Sequence, residues 1–319
     1  MFAGNVAPGC CVRLFTGSPL PRDADAVVMQ EDTQLAESPG EEILVLAPTA
    51  PWENTRLRGE DIRQGALLAE SGSLLRVGHL SLLAATGVAE VNVGIGPVTA
   101  LLATGSELRE PGATLEPGQI FESNRIGLAS LVRGVGGISR VLPLVPDRLD
   151  ATRLALIEAF EQCDMVITSG GVSVGEMDFV KRAFEEIGGE MQFWKVAIKP
   201  GRPFVFGRWR DKFLFGLPGN PASALVTFLL LVRPALLRWQ GSTDIQMHGH
   251  PGTLREPLAN RGDRRHFIRV KIDAAGNVSP AGIQASHILS SLAAANGLVD
   301  VPPQRTLPSG TAVQVMRWD

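Results

Sequence analysis

Cysteine is scarce in this 319-residue chain: Cys10, Cys11 and Cys163 are all it has. Two are adjacent and none forms a C-x-x-C pair, so there is no disulfide framework, and the usage suits a reducing cytosol. Histidine is scarce too. Five of them without metal-ligand spacing give no case for zinc, and no Ser/His/Asp order points to acyl transfer. No Lys/Arg run exceeds two residues and the formal net charge is −3, which disfavours a nucleic-acid partner while leaving room for a local basic pocket. A Walker A loop and a G-x-G-x-x-G fingerprint are both absent, so an ordinary nucleotide-binding assignment has no support. The start, MFAGNVAPGC, lacks the basic and apolar regions of a signal peptide. The longest apolar run, 222–231, contains Ser223 and Thr227 and is too short to span a bilayer. The expectation is a cytoplasmic chain with neither a membrane nor a nucleic-acid partner.

What is present is 45% hydrophobic residues with abundant Gly and Pro, a globular composition in a chain longer than one core usually fills. Residues 1–95 read as short β-type runs (11–15, 26–30, 42–47) among Gly/Pro/Asp turns, with one short helix at 80–87 closed by Gly87. This β-rich region opens abruptly, as a partial domain. Over 96–245 the pattern becomes strand, helix, strand: VTALLAT at 98–104, a helix from Ser123 to Gly134, a strand at 138–145, a helix at 150–162, DMVITS at 164–169, a helix at 178–189, FLFGL at 213–217 and a long helix at 221–239. Such alternation predicts an α/β fold, a mostly parallel sheet with helices on both faces. Residues 246–319 return to strands and form a small C-terminal β domain.

In an open parallel sheet, ligands bind beyond the carboxyl ends of the strands. The loops there read TGSE (104–107), VPD (145–147), SGGVSVGEMD (169–178) and LPGNP (217–221). Glycines let a backbone approach a ligand closely, and a helix start adds partial positive charge, which suits a phosphate. Asn220 and Pro221 have the residue types preferred at N-cap and N1. Two readings stand at each loop, a tight strand-to-helix turn or an anion cradle. The carboxylates divide likewise. Asp178 could cap a helix, and Ser173 with Glu176 has capping-box spacing. Yet Glu107, Asp147 and Asp178 share one rim of the sheet, where acids beside a phosphate call for a hard cation such as Mg²⁺.

A second polar group lies in FWKVAIKPGRP (193–203). In an extended segment Lys195 and Lys199 share a face, and their flanks are apolar. They read either as solvated lysines or as an anion-binding pair. Arg269 and the Ser286–His287 pair add polar groups from the last domain.

Taken together, CVRLFTGSPLPRDADAVVMQEDT, RLRGEDIRQG, ATGSEL, GQIFESNR, ITSGGVSVGEMDF, FWKVAIKPGRPFVFG, FGLPGNPASA and GIQASHILSS resemble the molybdopterin molybdenumtransferases, whose animal relative is the E domain of gephyrin. The resemblance runs in order from about residue 8 to at least residue 290. It implies insertion of molybdenum from molybdate into adenylyl-molybdopterin, with release of AMP and with Mg²⁺. It also implies an elongated homodimer in the cytoplasm, with the molybdopterin adenylyltransferase as a possible partner.

Carried over by residue, the resemblance implies active-site roles for Thr16, Asp61, Glu107, Asp147 and Asp178. Glu107, Asp147 and Asp178 would be the Mg²⁺ side. It implies pterin-phosphate contacts for Ser169, Gly170, Gly171, Ser173 and Gly175, and for Pro218, Gly219, Asn220 and Pro221. Molybdate would be held by Lys195, Lys199, Arg269 and Ser286. The family's N-terminal dimerisation segment and its S-A-M-D-G-Y-A loop have no match here, in a chain without tyrosine. The expectation is a truncated form, slow in turnover but able to bind ligand. Two rival readings are the preceding adenylylation step, whose enzymes share the α/β domain, and a non-catalytic pterin-binding or scaffold protein.

Overall fold

Among the described residues the strands pair into two six-stranded sheets and three two-stranded ladders. The computed structural model describes residues 2, 4–36, 42–171 and 179–318. These fall into two compact units, Met1–Leu68 and Ala69–Asp319.

The first unit has a 3₁₀ turn at Gln30–Asp32 and an antiparallel ladder of β1 (Thr33–Leu35) with β2 (Ile43–Val45). Residues 11–15 and 26–30, expected as strands, are not strands. A β-type run becomes a strand only when a neighbour pairs with it. Here Val27 N reaches Glu53 O at 3.0 Å, but no ladder develops.

The second unit opens with α1 (Val77–Ala85) and continues with β3 (Val98–Ala103), β4 (Leu108–Arg109), β5 (Ile120–Phe121) and α2 (Asn124–Gly134). Then come β6 (Ile138–Val141), α3 (Leu149–Gln162), β7 (Met165–Ser169), α4 (Phe179–Glu186), β8 (Glu190–Trp194) and β9 (Ile198–Lys199). β10 (Val205–Trp209) and β11 (Lys212–Leu217) form a hairpin ahead of a continuous helix. That helix is α5 (Pro221–Thr227), a π-helical turn (Phe228–Val232) and α6 (Arg233–Trp239). The chain ends with β12 (Gly249–Leu254), β13 (Leu258–Asn260), β14 (Arg265–Ile272), β15 (Asn277–Pro280), α7 (Ser290–Ala294), β16 (Gly297–Val301), β17 (Arg305–Leu307) and β18 (Ala312–Arg317).

The central sheet has the order β6-β3-β7-β11-β10-β8. Pairings are parallel from β6 through β11 and antiparallel from β11 to β8. Because side chains alternate along a strand, each strand feeds two cores. Leu101, Met165, Ile167 and Phe215 face α2 and the long helix, while Ala100, Leu102, Val166 and Leu214 face α3 and α4. That is the helix-covered α/β sheet the alternation predicts. β6 stops at Val141 rather than running to 145, because Pro143 cannot donate to a ladder.

The helix Pro221–Trp239 is long and apolar enough to cross a bilayer by length and composition, contrary to the expectation from its shorter apolar run. Its Phe228, Val232 and Leu236 are fully buried in the core against the central sheet, so here it serves as a core helix. The last sheet has the order β15-β12-β18-β16-β14-β9. β15 also pairs with β14, so five strands close on themselves around Leu254, Ile268, Val270, Val278 and Val315. Closure leaves those strands no open edge. β9 joins this barrel through Arg265↔Ile198 and His266↔Lys199.

Candidate ligand pocket at the carboxyl ends of the parallel strands

The loops that follow β3, β6, β7 and β11 meet around one pocket of about 710 Å³. Each parallel strand ends at the same rim, so chain segments distant in sequence deliver their polar groups together. Glu107, Asp147, Ser169, Gly170, Gly171, Pro218, Gly219, Asn220 and Pro221 all line it. Leu108, Ile120 and Phe121 add an apolar wall, and His287 and Leu289 close it from the last part of the chain.

The loops are knitted to one another. Gly170 N donates to Leu217 O at 3.1 Å, Thr104 N to Ser169 O at 3.2 Å and Gly105 N to Val145 O at 3.1 Å. Ser106 and Asp147 bond reciprocally, Ser106 N to Asp147 Oδ2 at 3.0 Å and Asp147 N to Ser106 Oγ at 3.1 Å. One Asp147 oxygen is therefore committed to the loop, and the other has no hydrogen-bond partner among the described residues.

Gly170 and Gly171 have φ of +90° and +65°. A Cβ at Gly170 would lie 2.7 Å from Thr104 O, and one at Gly171 would lie 2.6 Å from Val180 Cγ2. Glycine is thus required here by the packing of loop on loop and loop on α4. Gly219 differs: its added Cβ would sit 3.6 Å from Gly170 Cα, an ordinary contact. Thr104 Oγ1 is buried beside these glycines with no hydrogen-bond partner among the described residues.

At the start of α5, Asn220 occupies the N-cap position but makes no capping bond. Its Nδ2 donates instead to Ser286 Oγ at 3.1 Å, and Ala222 N donates to Ser286 O at 3.0 Å. Pro221 has no N–H, so this helix start offers a ligand its dipole more than free amides. At α2, Ser123 likewise makes no capping bond. Glu122 does that job: its Oε1 accepts from Asn124 N at 2.6 Å and Arg125 N at 2.9 Å.

The expected anion group is placed differently from its sequence reading. Lys195 follows β8 with φ of +70°, while Lys199 belongs to β9 in the barrel. They do not share one extended face, because the chain leaves the central sheet between them. Lys195 Nζ lies 3.7 Å from the centre of the Trp194 ring. Arg269 is fully buried. Its Nε donates to Ser291 Oγ at 2.9 Å, and its Nη2 to Ile283 O and Ala285 O at 3.0 Å each, fastening the 283–285 segment. Its Nη1 has no partner among the described residues. His266, paired with Lys199 across the ladder, is also buried with both ring nitrogens unpartnered among those residues. Burial first, then the charges of Lys199, Arg269 and Arg264, push its pKa down to about 4.

Thr16, in a turn, and Asp61, in a bend, are exposed residues of the first unit. Ser173, Gly175 and Asp178 lie outside the described residues. Among the described residues no group of three or more His, Cys, Asp or Glu side chains converges as a ready-made metal cage. The pocket residues to which the sequence reading gave no individual role include Phe121 and Asn124. Asn124 had a signal, its place in E-S-N-R between a strand and a helix.

The fold is that of the molybdopterin-binding α/β class. Residues 100–238 match the family model for a probable molybdopterin binding domain, residues 2–87 the MoeA N-terminal region (domain I and II), and residues 251–318 the MoeA C-terminal region (domain IV). The chain is 38% identical over 299 residues to a molybdopterin molybdenumtransferase of Haemophilus influenzae, covering 92% of this chain and 73% of that one. It is 37% identical to molybdopterin molybdenumtransferase 2 of Mycobacterium tuberculosis, covering 99% of this chain and 78% of that protein. The crystal structure of a molybdopterin biosynthesis MoeA protein from Pyrococcus horikoshii superposes with a TM-score of 0.79 at 29% identity, over 100% of this chain and 79% of that one. The chain belongs to the molybdopterin molybdenumtransferase family.

Proposed function

We propose that this chain is a transferase of molybdenum cofactor biosynthesis. It inserts molybdenum from molybdate into adenylyl-molybdopterin, with release of AMP. The observation that carries the reading is the convergence of four strand-end loops, three of them glycine-bearing and one tied to a carboxylate, on a single pocket with an apolar wall. A flat pterin suits the wall of Ile120 and Phe121, and a phosphate suits the closely approaching 169–171 and 217–221 loops.

Two pocket carboxylates, Glu107 and Asp147, fit Mg²⁺, which takes one or two protein carboxylates and completes its shell with water and substrate phosphate. When bound there, the ion would neutralise charge on the phosphoanhydride. Molybdate is assigned to the neighbourhood of Lys199, with Lys195 and Ser286 as further donors. Arg269 would act through the segment it fastens and through its field. Thr16 and Asp61, in the first unit, are proposed to keep the roles the family resemblance implies for them, and the enzyme is proposed to be a cytoplasmic homodimer.

Assay of AMP release from adenylyl-molybdopterin, with molybdate and Mg²⁺, tests the reading. Consumption of ATP instead would indicate the adenylylation step, and tight binding without AMP release a pterin-binding protein. The loop assignment is tested by Gly219→Ala, whose added Cβ makes only an ordinary contact in the fold. Molybdopterin affinity should fall about ten-fold or more at unchanged melting temperature, since a loss of roughly 1.4 kcal/mol suffices. Unchanged affinity would remove the loop from the site.

A further inference from the structure

The segment E-S-N-R at 122–125 opens α2 at the pocket wall and has no role in the reading above. Its geometry is specific. Glu122 and Arg125 are both buried, and Glu122 holds the Asn124 backbone amide at 2.6 Å while pairing with Arg125 Nε at 2.9 Å. Asn124 is thereby fixed at the first helical position. Its side chain reaches two loops at once, with Nδ2 lying 2.7 Å from Ser169 Oγ and 2.7 Å from Gly219 O.

A carbonyl oxygen can only accept, so the Asn124 atom facing Gly219 is the nitrogen, and its two protons go to Gly219 O and Ser169 Oγ. Ser169 is then an acceptor toward Asn124. A hydroxyl has one proton of its own to give, and that of Ser169 finds no acceptor among the described residues, at a side chain that lines the pocket. We infer that Asn124 is a positioning residue that ties the 169–171 and 217–221 loops into one cradle and fixes the Ser169 hydroxyl as a donor to an anionic ligand oxygen. The ligand-directed half of this inference rests on the molybdopterin reading of the pocket. The tie between the loops does not.

The consequence is an unusual order of substitutions. Asn124→Ala removes the tie but leaves the Ser169 proton free. Asn124→Asp, nearly identical in shape, sets a carboxylate against Gly219 O and takes the Ser169 proton for itself, so it should harm binding more. A residue that only supports the fold could show this order too, through repulsion at Gly219 O, but it would not make the Ser169 substitution silent in the Asn124→Asp background.

The test is molybdopterin titration on the full chain for wild type, Asn124→Ala, Asn124→Asp, Ser169→Ala and the double variant combining Asn124→Asp with Ser169→Ala, with melting temperatures measured alongside. Asn124→Asp is expected to weaken binding roughly ten-fold or more and by more than Asn124→Ala. Ser169→Ala should add little in the Asn124→Asp background, because the proton it removes is no longer offered to ligand. Wild-type affinity in Asn124→Asp, or losses that simply add, would overturn the donor role. Amide exchange in the absence of ligand reads the tie: Gly170 N, bonded to Leu217 O, should exchange faster in Asn124→Ala. Unchanged exchange overturns the tie. If the wild-type chain binds no molybdopterin, the functional reading and the donor role fall together, while the exchange result still decides whether Asn124 couples the loops.

Discussion

His266 is a neutral imidazole enclosed among cations, and that makes it a pH-sensitive residue of the barrel. Its folded pKa, pushed down to about 4 by burial and by Lys199, Arg269 and Arg264, lies below the ordinary value of 6.5. Above pH 6.5 neither the folded nor the unfolded state binds its proton. Between 6.5 and 4 the unfolded state binds it and the folded state does not, so stability falls as pH falls. The full difference corresponds to roughly 3 kcal/mol by the usual conversion per pKa unit. His266→Phe keeps a ring in the site and removes two ring nitrogens that have no partner among the described residues. It should match or exceed the wild type at pH 7 and lose this part of the acid slope in denaturant titrations between pH 6.5 and 4. A slope identical to the wild type would show that other groups carry it. Arg269, beside it, holds three partners with a fully buried guanidinium, and only that burial shows that it acts from within the structure.

At the scale of elements, the entry to α2 is the most exacting junction at the pocket. Glu122 and Arg125 have side chains about 3% exposed, and Arg125 also reaches Glu110 Oε1 at 2.7 Å. Removing one partner of a buried pair leaves an uncompensated charge, typically costing about 3–5 kcal/mol. Arg125→Met is therefore expected to destabilise the protein by that amount. Adding Glu122→Gln keeps an oxygen for the two helix amides while removing the charge, and should restore part of the loss. Chemical denaturation of the two variants checks this, and a neutral Arg125→Met would mean that water reaches Glu122. The long helix contributes through apolar burial instead. Phe228, Val232 and Leu236 are fully buried along it, and the π-helical turn lies between its two α-helical segments.

Across the molecule, the central sheet and the barrel share a core. Phe267 and Leu298 of the barrel belong to the same apolar cluster as Leu101, Phe215 and Leu236. The second unit should accordingly unfold in one cooperative step. Trp209, packed on Phe160 in one core cluster, and Trp318, packed against the shared cluster, report on different cores of the unit. Variants keeping only one or the other tryptophan should give coincident denaturation midpoints, and separated midpoints would mean that the barrel folds by itself. The sequence alone determined the alternation of strands and helices from β3 to α6, the loops at the strand ends and the family, because apolar period, glycine, proline and motif order are local properties of the chain. It did not determine which runs of the first unit pair, since a strand needs a partner as well as a pattern. Tertiary structure alone decided that Lys195 and Lys199 part company, that Arg269 turns inward, and that Asn124 meets Ser169 and Gly219 across 45 and 95 residues. The physical reason is that a hydrogen bond between distant segments is set by the packing that brings their strand ends to one rim.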